Sequence, residues 1–324
     1  MFSLFRRIVQ LGILMFLCGT ALAQQTIEFN SLDRKQGFPA LLNGRAQYTD
    51  KINGVFTRPV GATGNLPVMV ILHGSGGVSD VGTGDWSRFF LSMGIATFVI
   101  DSFVPRGINS TSADQSQLSY TASTVDALQA LKIVAEQHGI DAKRIGVIGF
   151  SRGGQSATNS AYPKVQAAVL GADSNLKYAL HVALYGGCSQ PGTTDKTPIL
   201  FLLGDDDGYV TPETCSKFAD TLRSRGANIE LVVYPVAKHG FDQERSKDVY
   251  GAKIQSWKKC APRYQDLDDL TYAINGKTVS PKEYGEGIAS CMTTGVSFGL
   301  NRAARNDARA RVKALVLKNF GMGS

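Results

Sequence analysis

The fold the sequence predicts is α/β: a doubly wound, mostly parallel sheet in a single domain with a C-terminal insertion. Three observations carry this. Short apolar blocks alternate with amphipathic stretches along most of the chain. The blocks are continuous in hydrophobicity rather than alternating, as strands buried on both faces require. The length, 324 residues, is enough for one large domain with a substantial core.

At the N-terminus, Arg6 and Arg7 precede an apolar run over about 8–17, and Ala21-Leu22-Ala23 precedes Gln24. That charged, apolar, small-residue order predicts a signal peptide over 1–23 and an exported chain, periplasmic or secreted, over 24–324. The apolar run is about half the roughly 20 residues a membrane span needs. No stable membrane anchor is therefore expected after cleavage, and Cys18 follows Leu17 rather than the small residue of a lipoprotein site. Losing Arg6 and Arg7 lowers the formal charge from +7 to +5. The remaining basic residues are scattered, and those of 302–311 fall at helical spacing on a solvated face, which excludes nucleic acid as a partner.

The expected strands are 68–72, 96–100, 145–148, 181–185, 199–203 and 229–234. Helical spacing appears over 123–138, where Val125, Leu128, Leu131 and Val134 recur before Gly139. It appears again over 212–225, closed by Gly226, and over 301–320. Residues from about 242 to 295 show little periodicity, two cysteines and several aromatics, and are expected to be an insertion, either walling a pocket or a surface excursion.

The chemistry centres on Gly149-Phe150-Ser151-Arg152-Gly153-Gly154. The motif alone is weak, but a strand-like run precedes it and a helix-compatible run follows. That context predicts a nucleophile elbow, in which flanking glycines let a strained turn present the serine. A serine hydroxyl needs a base, and only four histidines exist. His138 sits at a helix end, His181 inside an apolar block and His73 in a glycine loop, which leaves His239, in the loop after the last long strand. The carboxylate that orients the base is expected in Asp205-Asp206-Asp207, at the carboxyl edge of the sheet where catalytic loops of open sheets cluster. Spacing does not choose among the three, and Tyr209 breaks the ligand pattern of a calcium loop. The glycine loop His73-Gly74-Ser75-Gly76-Gly77 is suited to bring a backbone N–H, that of Ser75, to an oxyanion, with the N–H of Arg152 as second donor. The same loop lacks both the P-loop ending and the dinucleotide fingerprint.

The order oxyanion loop, serine, acid, histidine is that of the α/β-hydrolase fold. Over nearly all of 50–320 the chain resembles the dienelactone hydrolase family. The resemblance rests on His73 through Gly77, Asp101-Ser102-Phe103 with Arg106-Gly107, the Ser151 motif, Gly204 through Pro212, and Tyr234-Pro235 with His239-Gly240-Phe241-Asp242. It implies that the acid is Asp207, three residues after the glycine ending its strand, and that His239 is the base. The family's founding enzymes carry a cysteine where this chain has Ser151, so a general carboxylic ester rather than the founders' lactone is the expected small-molecule substrate. Arg106 is a candidate for a substrate carboxylate, or else a structural ion-pair partner.

Beyond Cys18, four cysteines remain, an even number that in an exported chain suggests disulfides. Cys188–Cys215 and Cys260–Cys291 are the expected pairs, because each flanks one local unit, and family members with cysteines placed like the first pair occur. No metal or organic cofactor is expected. The competing readings are a peptidase of the prolyl-oligopeptidase type and a non-catalytic binding protein. Oligomeric state is not legible.

Overall fold

The structure is a computed structural model that describes residues 24–244 and 248–323; the expected leader, 1–23, lies outside the described residues. The elements run β1 (Gln24–Ser31), α1 (Phe38–Leu42), β2 (Asp50–Thr57), β3 (Leu66–Leu72), α2 (Asp85–Ser92), β4 (Ala96–Asp101), α3 (Tyr120–Ala135), β5 (Ile140–Phe150), α4 (Arg152–Asn159) and α5 (Pro163–Leu170). They continue with β6 (His181–Leu184), β7 (Ile199–Gly204), α6 (Pro212–Ser224), β8 (Ile229–Tyr234), β9 (Val249–Ser256), β10 (Arg263–Gln265), β11 (Tyr272–Ile274), β12 (Lys277–Val279), α7 (Pro281–Cys291), β13 (Thr293–Phe298) and α8 (Arg302–Phe320).

The six blocks expected as strands become β3 to β8, and they lie side by side in parallel in the order β4-β3-β5-β6-β7-β8. Every residue of β3, β6 and β7 is buried, so helices must cover both faces of the sheet, which explains the unbroken apolar runs. The helices begin where polar side chains can satisfy open N–H groups: the Ser119, Thr211 and Asn301 oxygens accept from the first turns of α3, α6 and α8. Gly226 (φ +85°) follows α6 as expected, whereas α3 stops at Ala135 and Gly139 (φ +71°) instead starts the approach to β5. The chain is an α/β hydrolase in fold.

Two further strands, β1 and β2, pair antiparallel with each other and extend the sheet through β4. Their pattern is half exposed, and Gly54 in β2 marks a close approach, since a Cβ there would sit 2.4 Å from the Phe98 ring. This edge explains Arg106, which does not line either of the two cavities that contain Ser151. Its guanidinium is buried and donates to both carboxylate oxygens of Asp126 at 2.8 and 2.9 Å. It also donates to Asp50 at 2.6 Å and to the carbonyls of Ser102 and Leu32. Burial works against the charge, but the two carboxylates more than offset it and hold the arginine above its ordinary value. The physical reason is the fully buried Asp126 on α3, which needs a counter-charge. Arg106 thus bolts β2 and α3 together, the structural ion-pair role that the sequence left open beside substrate binding.

The stretch expected to lack periodicity is folded. β9 and β13 pair antiparallel, closing the two ends of the unit on each other, and β10, β11 and β12 form a small sheet beside α7. Backbone bonds Gln265 N–H to Ser189 O (2.9 Å) and Leu267 N–H to Pro191 O (2.8 Å) fasten it to the main domain. Arg225 adds ion pairs to Asp266 and Asp268. The cysteines are joined as Cys188–Cys215 and Cys260–Cys291, with Cα atoms 5.2 and 5.1 Å apart. The second bridge ties the approach to β10 to the end of α7.

The Arg106 bolt makes a prediction about stability. Arg106→Leu strands Asp126 uncompensated and is expected to cost about 3–5 kcal/mol in urea unfolding, whereas Arg106→Met with Asp126→Leu recovers most of the loss. A single variant as stable as the wild type would contradict the role given to the pair.

Candidate active site

Ser151 stands on the turn between β5 and α4 with φ 52° and ψ −114°, a backbone state that side-chain-bearing residues rarely adopt and that costs about 1–3 kcal/mol. The turn is that tight because its neighbours have no side chains. A Cβ on Gly149 would lie 2.0 Å from Gly153 O, and one on Gly153 would lie 2.4 Å from Leu72 O. Only glycine permits β3, β5 and α4 to approach this closely. The N–H of Ser151 donates to Leu184 O at 2.9 Å, anchoring the turn to β6.

The acid and histidine loops are pinned to each other by the same device. A Cβ on Gly204 would meet Ala237 O at 2.0 Å, and the N–H groups of Asp205 and Asp206 donate to Tyr234 O (3.0 Å) and Ala237 O (3.1 Å). Asp205 and Asp206 face solvent, whereas Asp207 is fully buried. Its Oδ1 accepts from Tyr209 N–H at 2.7 Å and its Oδ2 lies 2.7 Å from His239 Nδ1. Of the three aspartates left open by spacing, the structure brings Asp207 to His239. A carboxylate can only accept, so Nδ1 carries the proton and Nε2 keeps its lone pair. The His239 ring is held between Tyr185 (centroids 4.5 Å) and Tyr209 (4.4 Å), with Phe298 at its edge (5.6 Å).

Ser151 and His239 open onto two cavities of about 420 and 410 Å³, which share Ser75, Ser151, Tyr185, Tyr209 and His239 in their walls. Ser75 is held by its carbonyl, which accepts from Thr111 N–H and Ser110 Oγ, both at 2.9 Å. His73 shapes the same loop: its Nε2 accepts from Ser102 N–H (3.1 Å), so its Nδ1 donates to Gly74 O (2.8 Å). Arg152, the first residue of α4, therefore has an N–H without a partner inside the helix. Its buried guanidinium donates to Leu118 O, Gln115 O and Gln115 Oε1 and lies over the Tyr120 ring at 4.2 Å. Burial, with no carboxylate bonded to it, pulls the Arg152 pKa down.

Sequence reasoning missed the supports around His239. Tyr185, at a positive φ of 41°, donates its hydroxyl to Asp242 Oδ1 at 2.7 Å, and Trp86 Nε1 donates to Oδ2 at 2.7 Å. Burial raises the Asp242 pKa, and these two donors oppose that rise. The signal was present in His239-Gly240-Phe241-Asp242, where a carboxylate three residues from a histidine sits beside an aromatic. Also missed were Trp257, Lys258, Arg263 and Tyr284, which the insertion contributes to the larger cavity. The other two histidines stay away: His138 is at the end of α3, and His181 is buried with Nδ1 bonded to Ala157 O at 2.8 Å.

The parallel sheet with these loops at its carboxyl edge defines an α/β hydrolase. Comparison with known proteins narrows the class: the dienelactone hydrolase family profile matches residues 52–262, and the chain belongs to that family. It is a hydrolase of ester and lactone type. It is 26% identical over 214 residues, 60% of this chain and 79% of the relative, to a probable 2-oxo-3-(5-oxofuran-2-ylidene)propanoate lactonase from Bradyrhizobium sp.. It is 27% identical over 209 residues, 60% of this chain and 75% of the relative, to a putative carboxymethylenebutenolidase from Salmonella typhimurium. A putative dienelactone hydrolase from Klebsiella pneumoniae shares the fold, with a TM-score of 0.52, 18% identity and coverage of 91% of this chain and 99% of that one.

The two buried histidines predict an acid limb of stability. Burial is the largest influence on both His73 and His181 and lowers each pKa from 6.5. Between the lowered folded value and about 6.5 the unfolded chain binds more protons, so stability rises with pH across that window and is complete above it. The urea midpoint should therefore fall as pH drops from about 6.5 toward 5. His181→Gln should flatten the slope; an unchanged slope would mean that His181 does not carry it.

Proposed function

We propose that the chain is an exported serine hydrolase that cleaves carboxylic esters through an acyl-enzyme on Ser151. The observation that carries the proposal is the 2.7 Å contact between Asp207 and His239 Nδ1, in a wall shared with the strained Ser151 turn. The proton held on Nδ1 leaves Nε2 to take the hydroxyl proton as Ser151 Oγ attacks the ester carbonyl. Asp207, buried and acceptor-only, stabilises the resulting imidazolium. The oxyanion then accepts from the N–H groups of Ser75 and Arg152, each such donor being worth about 10²–10³ in rate. Collapse expels the alcohol, which takes the proton back from Nε2. Water repeats the sequence on the acyl-enzyme and frees the acid.

Lactones fall within the same chemistry, since the leaving alcohol simply stays attached, and the named activity of the Bradyrhizobium relative is of that kind. Export is supported by the two disulfides, which persist in oxidising compartments, and by the order of charged, apolar and small residues at the N-terminus.

A fluorophosphonate is expected to label Ser151, as mapped by peptide mass, and the label should vanish in His239→Ala. Ser151→Ala and Asp207→Asn should each cut ester turnover by about 10⁴-fold or more while leaving the fold intact by circular dichroism. Asp205→Asn and Asp206→Asn should stay within about twofold, because both side chains face solvent. Losses at those positions equal to that at Asp207 would refute the assignment of the acid.

A further inference from the structure

The two cavities that meet at Ser151 differ in chemistry. The larger is walled in part by the insertion and by aromatic rings, with Tyr120 and Tyr209 from the main domain and Trp257 and Tyr284 from the insertion. Its lining contains Arg152, Lys258 and Arg263 but no aspartate or glutamate. Arg263 on β10 pairs with no carboxylate among the described residues, and its pKa is lowered because burial outweighs the help from Tyr284 and Tyr120. The Lys258 ammonium donates to the carbonyl of Asp207 and forms no ion pair with a carboxylate among the described residues. In the same wall, the buried indole N–H of Trp257 has no acceptor among the described residues. A partly desolvated cation, and a buried donor without an acceptor, are each stabilised by an incoming anion. The second cavity has no Lys, Arg, Asp or Glu in its lining, which includes Val81, Val249, Ile254 and Phe298.

We propose that the substrate is an open-chain ester with a sizeable group on each side of the scissile carbonyl: an aromatic or similarly flat half bearing a carboxylate, bound against Arg263, and an uncharged half in the second cavity. This deepens the ester-hydrolase reading and rests on it. The volumes support occupancy of both cavities, because spaces of about 420 and 410 Å³ each have Ser151 in their walls, far more than a compact lactone ring fills. Arg263 lies one residue past the segment matched to the family, 52–262, which does include Trp257 and Lys258.

The test compares benzyl 4-carboxybenzoate and 4-carboxybenzyl 4-methylbenzoate, which place the carboxylate on the acid or the alcohol side, with neutral benzyl 4-methylbenzoate and the small methyl 4-carboxybenzoate. At least one charged dibenzyl-type ester should exceed the neutral one about tenfold or more in kcat/KM, mainly through KM. When the carboxylate is on the acid side, that ester should also exceed its methyl counterpart. Arg263→Gln should remove the preference for charge, and Arg263→Lys should restore part of it. Equal turnover of charged and neutral esters, or a preference that survives in a folded Arg263→Gln, overturns the proposal. If fluorophosphonate labels Ser151 but neither charged ester turns over, the substrate class is wrong and the hydrolase reading stands. Failure of Ser151 to label, with no turnover of any ester, sinks both.

Discussion

The closeness with which backbones meet around Ser151 sets the terms for everything else at the carboxyl edge of the sheet. Leu72 at the end of β3, Gly149 at the end of β5 and Gly153 in the first turn of α4 occupy space that a single methyl group would overfill. Packed interiors do not absorb such overlaps, so the strand, turn and helix are locked to one another. That lock holds Ser151 in a strained conformation and keeps the first N–H of α4 beside it. A relaxed turn would dissipate the strain and withdraw both groups together. Gly204 against Ala237 repeats the device where the acid and histidine loops cross.

Orientation of His239 draws on a second layer of contacts. A hydrogen bond to Asp207 fixes one ring nitrogen but leaves the ring free to swing about it, and two tyrosine faces restrict that swing. Tyr185 is in turn held at an unfavourable φ by its bond to the buried Asp242, to which Trp86 of α2 also donates. Helices on distant parts of the sequence therefore bear on the ring. Arg106 shows the opposite use of a buried charge: five donor contacts on one guanidinium join strands to helix well away from the cavities.

What could be read from sequence follows the length scale of the cause. Strands β3 to β8 were legible because burial on both faces demands unbroken apolar runs, and helices α3, α6 and α8 because one buried face repeats at a helical period. β1 and β2 were not, since a half-exposed edge needs only a weak alternation. The insertion was not, because its short strands and α7 bury little and depend on a disulfide and on bonds to the main domain. Within the site, Ser151 and His239 were findable by local context and elimination. Asp207 was not separable from Asp205 and Asp206 by spacing, as what distinguishes it is burial beside His239. The two roles open to Arg106 were not separable for a related reason: its partner Asp126 lies on α3, inside a helix whose apolar spacing gives no sign of a buried acid.

The cavity contrasts with the catalytic edge in how it is made. Ser151, Asp207 and His239 stand on turns that the central sheet dictates, and the segment matched to the family contains all three. Part of the aromatic and cationic wall of the larger cavity, Trp257, Lys258, Arg263 and Tyr284, comes from β10, α7 and the residues between β9 and β10, which are tied to the main domain by backbone bonds, the Arg225 ion pairs and side-chain bonds such as Lys258 to Asp207 O. Trp257, Arg263 and Tyr284 stand apart from the crowded glycines of the turn, whereas Arg152 belongs to the turn itself and Lys258 is bonded to Asp207 O. The two regions are thus built under different constraints: the turn of Ser151 by glycines whose replacement would force backbones apart, the outer part of the cavity by a unit stapled through Cys260–Cys291.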